Sequence, residues 1–235
     1  MISSLTDHWF HDCNNGMSKA SAGESLRTLL DEEIAFIEIW LRSHVSDHSS
    51  AHYGTEALRY HLKHGFRYGS VVLRESECSA MESALEVGDK VLAIARTLIK
   101  KYTSHEVIWC WLRHCGEVYF DIMDGEFGSK RASTPQVVSA LNGFIRQHII
   151  GVFEAIVDGS HADNGVLLEE REIHRSKICG LTYIMWILDQ LKRRKFLIQY
   201  VQNKDQIDLI HHKAKQMLKE DENIPYNTWR FNKLP

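Results

Sequence analysis

The sequence predicts an all-α protein, an α–α superhelix of antiparallel helical hairpins, and three observations support this fold class. Only three prolines occur in 235 residues, so long stretches lack the residue that breaks helices. Apolar residues recur at steps of three and four, which is the period of a helix with one buried stripe. A helix–turn–helix pattern also occurs twice, as expected of a stacked helical array.

The two copies of this pattern match at an apolar face, at a turn and at an inward-facing aromatic position. Counting from His48 to His105 gives an offset of 57 residues. The other matched pairs are Ile34 with Val91, Ile37 with Ile94, Leu41 with Leu98, His52 with Trp109 and Tyr53 with Cys110. Because a repeat unit cannot bury its own apolar face, the pattern predicts a scaffold that presents a surface to a partner.

The first predicted hairpin begins with a helix over residues 24–43. Its apolar side combines Leu26, Leu29, Leu30, Ile34, Ile37, Trp40 and Leu41. The segment Ser46–Asp47–His48–Ser49 predicts an N-cap, because its side-chain oxygens can accept the free amide hydrogens of a first helical turn. Gly65 and Gly69 predict the end of the second helix, where glycine adopts the left-handed conformation.

The second predicted hairpin joins a helix over 75–101 to a helix over 108–120. Gly88 is expected to weaken the first of these helices, because glycine is a poor helix former. The segment Thr103–Ser104–His105–Glu106 predicts the cap between them, with an acidic side chain where the helix dipole favours one. Short turns of this kind join antiparallel neighbours.

Three further helices are predicted after the hairpins, over 135–157, 167–191 and 198–217. Pro135 fits the first turn of a helix, and the polar stretches 124–134 and 158–164 indicate breaks. The predicted organisation is therefore a poorly structured N-terminal segment (1–23), two repeats (24–123), a linker (124–134), C-terminal helices packing on the array (135–220) and a tail (221–235).

Composition excludes several classes of protein. The formal net charge of −3 gives no long-range attraction to polyanions, which disfavours nucleic acid as a partner. No apolar run reaches the length of about 20 residues that a membrane span needs, and the first ten residues lack a leader pattern, so a cytoplasmic protein is expected. The five cysteines are scattered and form no Cys-x-x-Cys pair, which argues against a disulfide framework or a zinc knuckle.

Signals for catalysis are weak. Among fourteen histidines, His44, His48 and His52 stand at four-residue steps, which leaves a helical metal enzyme open as one hypothesis. Capping and interhelical hydrogen bonding explain these histidines better, because His48 stands at a predicted turn and no Glu-x-x-His pattern occurs. No phosphate-binding glycine loop and no nucleophile-elbow string occurs either. We therefore expect no cofactor, no metal site and no catalytic residue.

The aromatic cluster on the fourth predicted helix is more informative. Trp109, Arg113 and Phe120 share one face of that helix, because residues three, four and seven apart stack along it. Core packing between helix pairs is the favoured explanation. The functional alternative places Arg113, and with it Trp111, outward at a partner surface, where Trp and Arg are often hot spots.

A family resemblance depends on the turn and the aromatic that follows it. The stretches Val45–Tyr53 and Ser104–Arg113 resemble the repeats of the protein prenyltransferase α-subunit family, in which the second helix of each hairpin carries a Trp and then a basic residue. Trp109 matches the tryptophan, and Arg113 stands one place after the usual arginine position. In the earlier repeat His52 and Thr55 replace the two motif residues. The resemblance covers 26–120 and extends more loosely to 181–191, as in a shortened or divergent member.

The resemblance implies a crescent of α–α hairpins that wraps a β subunit holding the zinc ion and the isoprenoid. The expected function is a noncatalytic α-type subunit of a protein prenyltransferase, whose β subunit transfers a geranylgeranyl group to a protein cysteine. The partners are then that β subunit and, indirectly, the protein substrates. The candidate motif and interface residues are His48, His52, Tyr53, His105, Trp109, Trp111 and Arg113. The alternative is a general helical-repeat interaction scaffold with no role in prenylation.

Overall fold

The computed structural model describes residues 19–44, 48–72, 77–124, 135–158 and 170–220. Within these ranges the protein is all-helical, with nine α-helices and one π-helical segment and no strand. The predicted all-α class is therefore confirmed. None of the helices in these ranges has the length and apolar content that a membrane crossing requires. The segment 1–18, most of the predicted linker, the break 159–164 and the tail 221–235 lie outside the described residues.

Helices α1 (Lys19–Ser43) and α2 (His48–Val72) pack against each other. Of the predicted apolar side of α1, Ile34, Ile37 and Leu41 are buried, whereas the side chains of Leu26, Leu29 and Leu30 lie outside what the structure describes. The inward position predicted for Trp40 is wrong, because 39% of this side chain is exposed beside the first turn of α2. The cap residues Ser46 and Asp47 lie outside the described residues.

Helix α2 continues past the two glycines that were expected to end it. Gly65 and Gly69 both lie inside α2, which reaches Val72. A helical glycine costs about 1 kcal/mol relative to alanine, and a 25-residue helix that packs on its neighbours can carry that cost. The predicted helix end is therefore wrong by several residues.

Helices α3 (Glu77–Lys101) and α4 (Glu106–Asp124) form the second pair, and α4 lies at the centre of the fold. Most residues of α4 are buried, because α2, α3 and later helices all pack against it. In the turn between α3 and α4, the His105 amide donates to the Tyr102 carbonyl at 3.0 Å. The Tyr102 hydroxyl donates to the Arg42 carbonyl at the end of α1, also at 3.0 Å. This hydrogen bond ties the second turn to the end of the first helix.

The helix predicted over 135–157 forms with one local change. It consists of α5 (Pro135–Ile145), a π-helical segment (Arg146–Ile150) and α6 (Gly151–Val157), which follow one another without a break. Phe144 of α5 stacks on Tyr119 of α4, with ring centroids 5.4 Å apart, and meets Phe120 edge-on at 5.0 Å. These ring contacts place α5 on the central helix.

The last three helices are α7 (Glu170–Arg193), the short α8 (Lys195–Ile198) and α9 (Lys204–Glu220). The start predicted for the final helix, at Ile198, is wrong because the chain turns before Lys204. Asn203 adopts a left-handed conformation with a φ of 56°. Asn142 of α5 holds this connection, since its side chain donates to the Tyr200 carbonyl at 3.2 Å and accepts from the Gln202 amide at 2.8 Å.

Candidate functional site

The motif tryptophan, Trp109, joins the second turn to the body of the protein. Its side chain is buried on α4, and its indole N–H donates to the Thr103 carbonyl at 2.8 Å. Its ring lies 5.8 Å from the ring of Tyr183 on α7. Trp109 therefore fixes the turn before α4 and also forms part of the contact between α4 and α7.

Trp111 and Arg113 have different surroundings. The outward position considered for Trp111 is wrong, because the side chain is only 2% exposed. A Cβ added to Gly54 of α2 would lie 3.1 Å from the Trp111 Nε1 atom, so the indole packs directly on the α2 backbone. Arg113 is half-buried, and burial lowers the pKa of its guanidinium, an effect that the nearby Cys110 and Glu117 oppose.

The other candidate residues surround the two turns. His48 and His52 are exposed on the first turns of α2, whereas His105 is half-buried before α4. The Tyr53 hydroxyl donates to the Glu33 carboxylate of α1 at 3.0 Å. Burial raises the pKa of Tyr53, and this carboxylate raises it further.

The histidine series that suggested a metal site has another explanation in the structure. His44 stacks on Trp40 with ring centroids 4.0 Å apart, and its Nδ1 atom lies 3.2 Å from the Trp40 carbonyl. Across the described ranges, no group of three or more His, Cys, Asp or Glu side chains is arranged to hold a metal ion. His44 therefore contacts its own segment, at the end of helix α1, through the ring and the carbonyl of Trp40.

A narrow cleft separates the start of α4 from the middle of α7. Its lining comprises Glu106, Trp109, Cys110 and Arg113 from α4 with Cys179, Thr182 and Tyr183 from α7. Its free volume of about 20 Å³ is enough for one water molecule. The cleft thus brings two candidate residues, Trp109 and Arg113, to one small site together with two cysteines.

An apolar groove with a free volume of about 290 Å³ runs between α1 and the start of α2. Its lining residues are Phe36, Ile37, Trp40, Ser49, Ser50 and Tyr53. Phe36 is 52% exposed, and the neighbouring Ile39 is 65% exposed. These side chains form an apolar strip on α1, which we call the α1 strip (Phe36, Ile39 and Trp40). Exposed apolar strips of this kind are typical of interaction surfaces.

Sequence reasoning placed Trp40 in the core and assigned no role to Phe36 or Ile39, so it missed the α1 strip. The signal was present, since Phe36, Ile39 and Trp40 stand three and four residues apart and widen the apolar face of α1 beyond one buried stripe. A helix with apolar residues over so wide an arc has more apolar surface than a single neighbouring helix covers. Only the packing of α2 decides which part stays exposed.

A buried polar pair was also missed. His148 lies in the π-helical segment and is 1% exposed, and the Tyr183 hydroxyl lies 3.0 Å from its Nδ1 atom. Burial lowers the pKa of His148 to about 3, and the positive charge of Arg96 acts in the same direction. His148 therefore stays neutral at ordinary pH and shares a hydrogen bond with the Tyr183 hydroxyl within the core. The feature that marks His148 is the π-helical turn in which it lies. The periodicity of apolar residues in the sequence does not reveal such a turn.

Arg194 connects α7 to the end of α4. Its guanidinium pairs with the Asp121 carboxylate, with Asp124 at 3.0 Å and with Gln190, and it lies 5.4 Å from the centroid of the Phe120 ring. Burial raises the pKa of Asp121, and the hydrogen bond from Arg194 opposes that rise. Arg194, one of four consecutive basic residues at 192–195, thus takes part in a largely buried ion pair.

Comparisons of this chain with known proteins found no match. No family model matches the chain, and no match to it was found among the curated proteins or the solved structures.

Proposed function

We propose that this chain is a noncatalytic α-type subunit of a protein prenyltransferase, built as a cytoplasmic α–α superhelix of antiparallel hairpins. In this proposal a β subunit holds the zinc ion and the isoprenoid and transfers a geranylgeranyl group to a protein cysteine. The present chain supplies a scaffold that binds and orients the β subunit. The resemblance of its two turn segments to the α-subunit repeats is the source of this assignment.

The observation that carries the proposal is that a set of positions matched at the 57-residue offset is buried in both copies. Matched positions that are buried in both copies are Ile34 with Val91, Leu41 with Leu98, Ala51 with Ile108, Gly54 with Trp111, Thr55 with Leu112, and Leu58 with Cys115. Each pair occupies the same position within its helix pair, which supports two copies of one structural unit. The Tyr102–Arg42 hydrogen bond, which joins the ends of α3 and α1, supports their stacking.

The order of contacts within the first helix pair supports an antiparallel hairpin. Trp40, near the end of α1, lines the groove with Ser49 at the start of α2. Ile37, one turn earlier in α1, lies against Gly54, one turn later in α2, where an added Cβ would be 2.8 Å from Ile37 Cγ2. Moving backward along α1 therefore corresponds to moving forward along α2.

In this proposal the α1 strip and its groove bind the β subunit. They combine exposed aromatic rings with a concave surface, which is the composition typical of interface hot spots. Burying the strip would recover part of the free energy that its exposure costs, about 25 cal/mol per Å² of apolar surface. The chain needs no catalytic side chain for this role.

A binding and transfer experiment tests the proposal. The purified chain is mixed with a geranylgeranyltransferase β subunit, and complex formation and isoprenoid transfer to a protein cysteine are measured with and without the chain. We expect a stable complex and a transfer rate that depends on the chain. Ile39→Ser should weaken the complex at least tenfold, whereas the control Leu209→Ser should not, because Leu209 is a similarly exposed apolar residue on α9. Failure of the unaltered chain to bind any β subunit would refute the assignment.

A general helical-repeat scaffold is the second candidate, and the first repeat favours it. His52 is exposed at the position where the family carries a tryptophan, so this copy has lost the motif contact that Trp109 makes. A scaffold without a prenylation role would leave the isoprenoid transfer rate unchanged. Ile39→Ser would then weaken binding to an unrelated helical partner instead.

A further inference from the structure

Two cysteines from different helices share the cleft between α4 and α7. Cys110 and Cys179 both line this cleft, whose free volume of about 20 Å³ is enough for one water molecule, and they are near enough for Cys110 to act electrostatically on Cys179. The neighbouring residues show how closely the helices approach. A Cβ added to Gly180 would lie 3.3 Å from the Trp109 Cη2 atom. Because Gly180 has no side chain, α7 packs directly against the aromatic next to Cys110.

We propose that Cys110 and Cys179 are an oxidation site, at which a hydroperoxide converts the two thiols to a disulfide that links α4 to α7. In the first step the Cys110 sulfur attacks one oxygen of hydrogen peroxide, which breaks the O–O bond and leaves a sulfenic acid and water. In the second step the Cys179 sulfur attacks the Cys110 sulfur and expels the second water. Two thiols and one peroxide thus give one disulfide and two waters, and the peroxide is the oxidant.

The surroundings of the two sulfurs determine the order of these steps. Cys110 is the more exposed of the pair and lies beside the Arg113 guanidinium, which favours its thiolate. Burial raises the pKa of Cys110 to about 11, with Glu106 adding to the rise. Burial raises the pKa of Cys179 to about 12, where Glu106 and Cys110 raise it and Arg175 opposes them. Cys110 therefore reacts first, and slowly at neutral pH, because the thiolate is the nucleophile.

Cys115 provides an internal control on the same helix. It lies five residues after Cys110, it is 1% exposed, and it is not among the residues that line the cleft. Burial raises its pKa well above the usual range. If the cleft is what makes Cys110 reactive, Cys115 should remain a thiol under the same treatment.

The unaltered chain can be tested by peptide mapping. The protein is treated with hydrogen peroxide, its remaining thiols are blocked with N-ethylmaleimide, and it is digested with trypsin and analysed by mass spectrometry. Trypsin cleaves after Lys101 and Arg113 and therefore separates Cys110 from Cys115. We expect the peptides of Cys110 and Cys179 to be joined with loss of two hydrogens, and Cys115 to carry the maleimide.

Two further measurements make the proposal specific. The rate of linking should rise about tenfold from pH 7 to pH 8, because the thiolate fraction rises tenfold per unit below the thiol pKa. In the C179S variant, dimedone should trap a sulfenic acid at Cys110, which the unaltered chain converts to the disulfide. The proposal is overturned if Cys110 and Cys179 remain thiols through a treatment about a thousand times longer than the one that oxidises a free cysteine peptide, if Cys115 reacts as fast as Cys110, or if the link joins two chains.

Discussion

Replacing Gly88 with alanine tests whether helix packing, rather than helix propensity, governs this position. The sequence marks Gly88 as a weak point of α3. In the structure an added Cβ would lie 2.6 Å from Cδ2 of Tyr119 and 3.1 Å from its Cε2. Tyr119 is 1% exposed and stacks on Phe144, so its ring has no room to move aside. Glycine at this position therefore permits the close approach of α3 to α4.

The expected magnitude follows from two opposing terms. Alanine gains about 0.8–1 kcal/mol of helix propensity over glycine. Overpacking a well-filled core costs about 1–3 kcal/mol, and a contact of 2.6 Å with an immobile ring belongs at the upper end of that range. We expect Gly88→Ala to lower the free energy of unfolding by about 1–2 kcal/mol.

A matched control separates the two terms. Gly143 also lies in a helix, but an added Cβ there meets no atom within 4 Å. Gly143→Ala should therefore raise the free energy of unfolding by about 0.8–1 kcal/mol, from propensity alone. Urea denaturation followed by far-UV circular dichroism measures both variants. If Gly88→Ala stabilises the protein as much as Gly143→Ala does, the packing argument is wrong.

Three more predictions concern the buried histidine, the interior ion pair and the left-handed turn. The pKa of His148 in the folded protein, about 3, lies below the value of 6.5 in the unfolded chain. Between these two pH values the unfolded chain binds more protons than the folded protein does. The free energy of unfolding therefore falls as the pH falls from 6.5 to 3. His148→Gln should remove about 1.4 kcal/mol per pH unit from that slope, measured by urea titrations at several pH values. Arg194→Ala should lower the free energy of unfolding by about 2–4 kcal/mol, because it leaves two partly buried aspartates unpaired. The control Arg193→Ala removes an exposed ion pair and should lower it by less than about 1 kcal/mol. Urea titration measures both variants. Asn203→Ala should lower the thermal midpoint, since alanine pays about 1 kcal/mol in the left-handed region, and Asn203→Gly should not lower it.

Periodicity predicted the helices well where one side of a helix is buried. Ile34, Ile37 and Leu41 are buried as predicted, and the helix from Pro135 forms as predicted. Helix ends were harder to predict, because a glycine that can end a helix can equally well lie inside one. Gly65 remains within α2, whereas the connection before α9 depends on a hydrogen bond from the distant Asn142. Local sequence does not contain that information.

The candidate site was predictable only where a residue's neighbours come from its own repeat. The importance of Trp109 follows from the turn motif, and its indole does bind the turn carbonyl of Thr103. The cleft beside it could not be predicted, because Cys179 and Tyr183 come from α7, which lies outside the two repeats. Pairing Cys110 with Cys179 across that distance in sequence requires the helix packing itself.

The two matched segments differ at the tryptophan position, which is Trp109 in the second segment and His52 in the first. The contact between α4 and α7 explains this difference. In the second copy α7 covers the tryptophan position, where Gly180 brings the α7 backbone against the Trp109 ring. In the first copy the matched residue is His52, which remains exposed, so a tryptophan there would gain little burial. Other matched positions, such as Leu41 and Leu98, are apolar and buried in both copies. The two matched segments therefore agree at such buried positions and differ at the position that α7 covers in the second segment.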